Sequence, residues 1–436
     1  MKLLGQSVAY ATYKRCSAML YSIAYPFLGV WSRLEGLDGL LVGRLGKMPG
    51  LPVDTGPYDV WIQAVSVGEV AVAEAIVAAL DKRAPYLKIA VSSTTPAGLA
   101  RAMSFLSHRC LVIPYPLDFP RAVHRVAVAI RPKVYAPIET ELWPNMINAV
   151  RETGSRVVLI NGRISTRSFG RYKKIRWLIG GLLREFSRVC AISEVHGRRL
   201  IELGAPETLV EVTGNAKFEG LISRPDNERA EALRCRMGID ASAHVFVAGS
   251  LRGDEDGLVI EAYRLLLSSF SGLMLFLIPR HIRKVSSIAS RLEAAGLPFQ
   301  LWSRLEMGER RTSQVVVVDV VGPLFDIYGI ATVVFVGGSL VPKGGQNIME
   351  PAAWALPVIY GPYMDNFEEA KAALDAGGGF EVRDVAGLVS IVESLLRTPA
   401  FRKQVGLAAR DALIGLSGNA ASRQADVILE LLNPAG

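Results

Sequence analysis

Cysteine and histidine are scarce in this chain, and no apolar run reaches the length of a membrane span. Four cysteines, Cys16, Cys110, Cys190 and Cys235, lie far apart without a CxxC pair. That spacing excludes a disulfide scaffold and fits a reducing compartment. Five scattered histidines add no metal-ligand spacing, so no metal site is expected. No internal repeat and no low-complexity tract is present, which excludes solenoids and extended linkers.

What is present is a globular chain of 436 residues, 21% charged, with Lys and Arg in excess to a net charge of +8. The length fits two or three domains, and the basic balance favours an anionic partner. The positive charge is concentrated. Residues 151 to 200 hold 12 Lys or Arg against 3 Glu, or 12 − 3 = +9. Arg163, Arg167, Arg171, Lys173, Lys174 and Arg176 crowd around Phe169, Tyr172 and Trp177, a pattern that grips phosphates or an anionic membrane. A solvated helix face is the plainer reading. Nucleic acid is not expected, because no DNA- or RNA-binding motif accompanies the patch.

From Cys16 to Trp31 the chain carries no charge and is flanked by Lys14-Arg15 and Arg33. The run is shorter than a hydrocarbon core of about 30 Å, and Pro26 is expected to break it. A segment lying in the membrane interface, or a buried first helix, both fit. No convincing signal-peptide cleavage site follows it. The bulk of the protein is then expected on the cytoplasmic face.

Beyond residue 50, short Val- and Ile-rich runs alternate with helical patterns. Val60 to Val65, Lys88 to Ser93, Cys110 to Tyr115, Lys133 to Ile138, Arg156 to Asn161, Arg188 to Ser193 and Leu209 to Gly214 read as strands. The gaps hold helices, such as Glu69 to Asp81 and Arg171 to Phe186. After the polar stretch Ser223 to Glu231 a second series begins: Val245 to Ala248, Leu273 to Ile278, Val315 to Val318, Thr332 to Val336 and Pro357 to Tyr360. Strict alternation means an α/β fold with parallel sheets covered on both faces. Two Rossmann-like halves with a ligand cleft between them follow. The expected organisation is a membrane-associating segment over 1–48, an acceptor domain over 49–220 and a donor domain over 221–436, with the last helix free to cross back to the first domain.

Polar residues gather at strand ends. In WIQAVSVGEV the strand stops at Ser66, Gly68 makes the turn and Glu69 opens a helix. A carboxylate there suits a general base on an acceptor hydroxyl, or simply complements the helix dipole. Ser92 to Pro96 is a hydroxyl-rich cap that includes Thr95. Glu139 and Glu141 follow another strand, and either one caps or orients. In the second series Ser250, Arg280-His281 and Gly322 end strands, and Arg280 suits a nucleotide phosphate. The stretch Gly337 to Phe367 has two Gly pairs, Gly337-Gly338 and Gly344-Gly345. Glu350 and Pro351 follow, so Glu350 is expected at a helix cap whose N–H groups face an anion.

Taken together, SVGE at 66–69, SSTTPAG at 92–98, ETELWPN at 139–145, NGRIS at 161–165, GNAKFE at 214–219, PRH at 279–281 and GGQNIMEPAAW at 344–354 resemble the 3-deoxy-D-manno-octulosonic acid (Kdo) transferases of lipopolysaccharide core synthesis. The resemblance runs in order to about residue 400. It implies a GT-B fold, CMP-Kdo as donor, a lipid A precursor as acceptor, an inverting reaction without metal or other cofactor, and a place on the cytoplasmic side of the inner membrane. Carried over by position, Glu69 is the base and Glu139 or Glu141 the supporting carboxylate. Arg280 takes the CMP phosphate, Glu350 the ribose, Asn347 the phosphate side of the loop, and Gly322 lies near cytosine, with Ser250, His281 and Gly345 beside them. Ser66, Gly68, Thr95, Lys217, Arg163 and Arg167 fall on the acceptor and its phosphates. Three positions depart from the family pattern: Gln346 for His, Pro323 for Glu, and Leu251 for Thr, with Arg252 following. The competing readings are a GT-B relative using another nucleotide sugar, and a catalytically silent nucleotide-binding protein docked on a membrane.

Overall fold

The computed structural model describes residues 8–34, 38–46, 57–222 and 224–433. Within them two compact units separate, residues 1–220 with 417–436 and residues 221–416. The first unit is built on seven strands, β1 Val60–Ala64, β2 Ile89–Ser93, β3 Leu111–Pro114, β4 Val134–Pro137, β5 Arg156–Gly162, β6 Arg188–Ala191 and β7 Val210–Val212. Their order is β3-β2-β1-β4-β5-β6-β7, with every pair parallel. The central strands are buried at every position, which explains their unbroken apolar runs. One apolar cluster fills each face of the sheet. Helices start where Pro occupies the first turn, at Pro96, Pro120 and Pro144.

The second unit repeats the plan with β8 Val245–Leu251, β9 Met274–Pro279, β10 Phe299–Leu301, β11 Val315–Val317, β12 Val333–Val336, β13 Val358–Tyr360 and β14 Gly379–Glu381. They run parallel in the order β10-β11-β9-β8-β12-β13-β14. Each sheet therefore has a switch point, between β1 and β4 in one and between β8 and β12 in the other. Ligands of open α/β sheets bind at the carboxyl ends of strands at such points.

The last helix, Ala420–Leu432, packs on the first unit. Ala420, Ala421, Ala425, Val427 and Ile428 join the cluster on one face of its sheet. Glu219 Oε2 caps it by accepting from Ala421 N at 2.7 Å. Buried Gln424 accepts from Asn161 N at 3.0 Å and donates to Thr213 Oγ1 at 3.1 Å.

At the other end of the chain, one helix spans Val8–Leu34. The break expected at Pro26 does not occur. Proline removes a single backbone donor, and a long helix can continue past that loss. Tyr13 Oη donates to Asp118 Oδ2 at 2.9 Å, Asn145 Nδ2 donates to Ser17 Oγ at 3.0 Å, and Tyr21 packs on Phe119. Asp118 also accepts from Asn145 N and Met146 N, and burial pushes its carboxyl up to about 6. No helix among the described residues is long and apolar enough to cross a membrane.

Three other local expectations change. Arg171 to Phe186 is two helices, Thr166–Lys174 and Arg176–Leu183, broken at Ile175, whose backbone leaves the helical region. The polar stretch before the second series of strands, at the start of the second unit, is partly helical, over Asn227–Arg236, with Asp226 as its side-chain cap; Ser223 lies outside the described residues. Glu350 falls inside the short helix Met349–Ala353, whose cap is Ile348, so Glu350 is not the cap.

Candidate active site

In the first unit, the C-terminal end of β1 turns at Ser66 into the helix Val67–Arg83. Ser66 caps that helix by accepting from Glu69 N. Glu69 folds back on the turn, where it accepts from Val65 N at 2.8 Å and from Ser66 Oγ at 3.0 Å. Only 9% of it is exposed. Burial and the charge of Glu139 push its carboxyl up to about 7, against the pull of the Val65 N–H; Glu141 and Ser66 act more weakly in opposite directions. A carboxylate poised near neutrality, backed by two further acids, has the electrostatics of a general base.

The turn itself is locked. Val65 O accepts from Thr95 N, from Thr95 Oγ1 at 2.9 Å and from Ser93 Oγ at 3.2 Å. Thr95 in turn caps the helix Pro96–Leu106 through Gly98 N. A Cβ on Gly98 would stand 2.4 Å from Ser93 Oγ and 3.0 Å from Val65 O, so only glycine fits. Above Gly68 lies the Lys217 side chain, its Nζ 3.5 Å from where a Cβ would be. Lys217 is the second residue of the helix Ala216–Ile222, and Asn161 Oδ1 accepts from Ala216 N at its start.

The end of β4 brings the other two acids. Glu139 has φ 59° and Asn161 has φ 51°, both in the left-handed region, a strain that surrounding structure must hold. Glu139 N donates to Ile160 O and Thr140 Oγ1 to Arg163 O, tying this turn to β5 and its exit. Glu141 accepts from Trp143 Nε1 at 2.5 Å, and burial raises its carboxyl, opposed by bonds from Trp143 and Gln63. Gln63 belongs to a buried chain in which Trp61 Nε1 donates to Ser92 Oγ, Ser92 Oγ to Gln63 Oε1, and Gln63 Nε2 to Thr94 Oγ1. The sequence reading passed over Gln63. A glutamine in the middle of a strand covered on both faces was its available signal.

Thus Ser66, Gly68, Glu69, Thr95, Glu139, Glu141 and Lys217 gather around the ends of β1, β2 and β4. Arg163 has its carbonyl in the same web. Arg167 stands apart, exposed on the helix Thr166–Lys174 with Arg171, Lys174 and, beyond the break, Arg176.

In the second unit, Ser250, next to last in β8, has φ 58°, and Arg280 directly follows β9, where Arg280 N donates to Leu251 O at 2.9 Å. His281 is exposed among Arg283, Arg252 and Arg280, whose charges add to desolvation in lowering its pKa. Gly345 N donates to Gly338 O, and Asn347 Nδ2 donates to Glu350 Oε1 at 3.2 Å. Gly322 follows β11, the strand paired with β9. With Arg229, Arg236, Trp302 and Asp326 it lines a cavity of about 560 Å³.

Holding these turns together is Glu255, which the sequence reading missed. Its fully buried carboxylate accepts four backbone N–H groups: Arg252 at 2.9 Å, Gly338 at 2.6 Å, Ser339 at 2.9 Å and Leu340 at 2.8 Å. Both amides of the first Gly pair are occupied from within the protein, Gly338 N by Glu255 and Gly337 N by Gly249 O at 2.8 Å. Gly337 allows the approach, since a Cβ there would meet Glu255 Oε2 at 2.7 Å. Among the described residues no group of three or more His, Cys, Asp or Glu is placed to hold a metal ion.

Two Rossmann-like units, each with polar groups at its switch point, define the GT-B architecture, in which nucleotide-sugar chemistry is at home at the strand ends. Solved structures agree on the fold: the chain aligns with a UDP-GlcNAc 2-epimerase from Neisseria meningitidis at TM-score 0.60 and 14% identity, covering 86% of this chain and 99% of that one. Residues 41–220 match the family model described as 3-deoxy-D-manno-octulosonic-acid transferase (kdotransferase). The chain is 33% identical to the 3-deoxy-D-manno-octulosonic acid transferase of Haemophilus influenzae over 380 residues, 87% of each chain. It is 31% identical to that of Bordetella pertussis over 381 residues, 84% of this chain and 86% of the other. The chain belongs to the Kdo transferase family, and its work is Kdo transfer in lipopolysaccharide synthesis.

Proposed function

We propose that the protein moves Kdo from CMP-Kdo to a lipid A precursor with inversion, without metal or cofactor, and with Glu69 as the general base. One observation carries this: a buried carboxyl pushed up to about 7 at the end of β1, hydrogen-bonded in place and flanked by Glu139 and Glu141. In this reading Glu69 takes the proton of the acceptor hydroxyl as its oxygen bonds to the anomeric carbon of Kdo. The bond from that carbon to the phosphate oxygen of CMP breaks, and the electron pair leaves with CMP. Glu141, oriented by Trp143 and Gln63, and Glu139 keep the base near neutrality. Lys217 and the basic turn after Arg163 meet the acceptor's phosphates. Arg280, His281, Ser250, Gly345, Asn347 and Glu350 hold the donor, with Gly322 on the cytosine side.

The acceptor is a lipid, and the N-terminal helix suits a membrane surface. Its inner face carries Tyr10, Tyr13, Ser17 and Tyr21, while Val8, Met19, Leu20 and Ile23 on the outer face are 84, 65, 58 and 59% exposed. The helix packs beside Arg176–Leu183, where Trp177 is 63% exposed among Arg and Lys side chains. Apolar residues outward and cations alongside are the pattern of an interfacial helix on an anionic leaflet. We place the protein on the cytoplasmic face of the inner membrane.

The test is direct. Purified protein, CMP-Kdo generated in situ and a tetraacylated lipid A precursor should give products heavier by whole Kdo units in the mass spectrum, and Glu69→Gln should abolish them. Turnover with UDP-sugars and none with CMP-Kdo would replace this donor. Sedimentation with vesicles containing anionic phospholipid should fall when Met19, Leu20 and Ile23 are changed together to Ser.

A further inference from the structure

A Kdo donor carries two anions, the phosphate of CMP and the carboxylate of the sugar acid, and Arg280 alone answers only one. A second cation stands beside it. In the parallel pair β8 and β9, Leu251 is registered against Pro279, so Arg252 and Arg280 leave neighbouring strands side by side at their carboxyl ends. Arg280 N is bonded to Leu251 O, which fixes the two turns to each other. Arg252 is half-buried, and its Cδ lies 3.2 Å from where a Cβ on Gly338 would be, next to Gln346 at 3.3 Å. Its side chain therefore runs over the first Gly pair.

The acids of this turn are engaged elsewhere. Glu255 is bound to four backbone N–H groups, one of them Arg252's own, and Asp254 and Asp256 face Arg291 at 2.8 and 3.3 Å. Among the described residues no ion pair engages the guanidinium of Arg252, Arg280 or Arg283. Unpaired guanidinium groups at a strand-end switch point are matched to planar anions, which they bind through two parallel hydrogen bonds.

Resting on the donor reading above, we propose that Arg252 reads the carboxylate of the transferred sugar, beside the phosphate-binding Arg280. Arg252 is thereby a specificity residue, separating a sugar acid from a neutral sugar on the same nucleotide. Glu255 acts through it, by anchoring its backbone.

Product inhibition in the transfer assay separates the two cations, because CMP has the phosphate and lacks the carboxylate. Arg252→Gln should raise KM for CMP-Kdo about tenfold or more while leaving the inhibition constant of CMP within about twofold, as one charge-assisted bidentate contact predicts. Arg280→Gln should raise both together. A parallel rise in both constants for Arg252→Gln, or a change in neither, overturns the assignment. If Arg252→Gln does not fold, Arg252→Lys reads the same split, with a smaller rise because a point charge cannot make the paired contact. A wild type that turns over UDP-sugars and not CMP-Kdo overturns the donor reading and this inference with it. A wild type active on CMP-Kdo beside an unaltered Arg252→Gln sinks the inference alone.

Discussion

Glu69, the proposed base, has its carboxyl raised by burial and by Glu139. With its carboxyl pushed up to about 7, the proposed base titrates in the neutral range, so kcat/KM should climb through an apparent pKa of about 7 before levelling. An acidic limb placed at about 4 to 5, the ordinary carboxylate range, would show that the base titrates as if solvated. The same shift has a stability sign. The folded pKa lies above the unfolded one, so between about 4.5 and 7 the native state binds more protons, and Glu69 makes the fold less stable as pH rises through that window. Wild type should therefore lose melting temperature relative to Glu69→Gln between pH 5 and pH 8, an effect of about 1–3 kcal/mol. Comparing the two proteins at each pH removes the contribution of Asp118, whose carboxyl is also raised.

At the scale of elements, apolar runs in the sequence located the strands that lie inside the sheets, since a strand buried on both faces has no polar positions to interrupt it. The edge strands β10 and β14 escaped that reading. Each has three residues, and none of the six is buried. Turn chemistry was legible at Thr95, where hydroxyl, cap and Pro96 stand together; after β1 the helix opens at Val67 with Ser66 as its cap, so Gly68 lies inside the helix instead of making the turn, and Glu69 does not open it. Turn chemistry also misled at Glu350, where the helix starts two residues earlier than the Glu-Pro pair suggests. Glu255 was out of reach because three of its four partners lie 83 to 85 residues further on. Its removal should be felt across the turns of β8 and β12. Glu255→Gln places an amide group against N–H donors, so at least two bonds are lost and a buried charge disappears; a cost of about 3–5 kcal/mol is expected. Hydrogen exchange at Gly338, Ser339 and Leu340 should quicken together in this variant, and unchanged protection there would mean that the turn stands without the carboxylate.

For the whole molecule, the contacts of longest sequence separation tie the last helix to the first unit. Asn161 at the end of β5 and Gln424 in the last helix are 263 residues apart, with the entire second unit between them. Through this bond the end of the chain reaches the site: Asn161 N is held by Gln424, and Asn161 Oδ1 holds Ala216 N, one residue before Lys217. Gln424→Ala would leave the buried Asn161 N–H, Thr213 hydroxyl and Gly214 carbonyl short of partners, at a cost of about 2–4 kcal/mol to the first unit. Deleting residues 417–436 goes further, because it also bares the apolar faces that Ala425, Val427 and Ile428 cover. A chain ending at residue 416 should then show fast hydrogen exchange throughout the first unit and near-normal protection in the second, since residues 221–416 keep all their own core. Equal protection of both units in the truncated chain would mean that the last helix only decorates a core already complete. Faster exchange confined to the first unit would mean that its core is incomplete without residues 417–436.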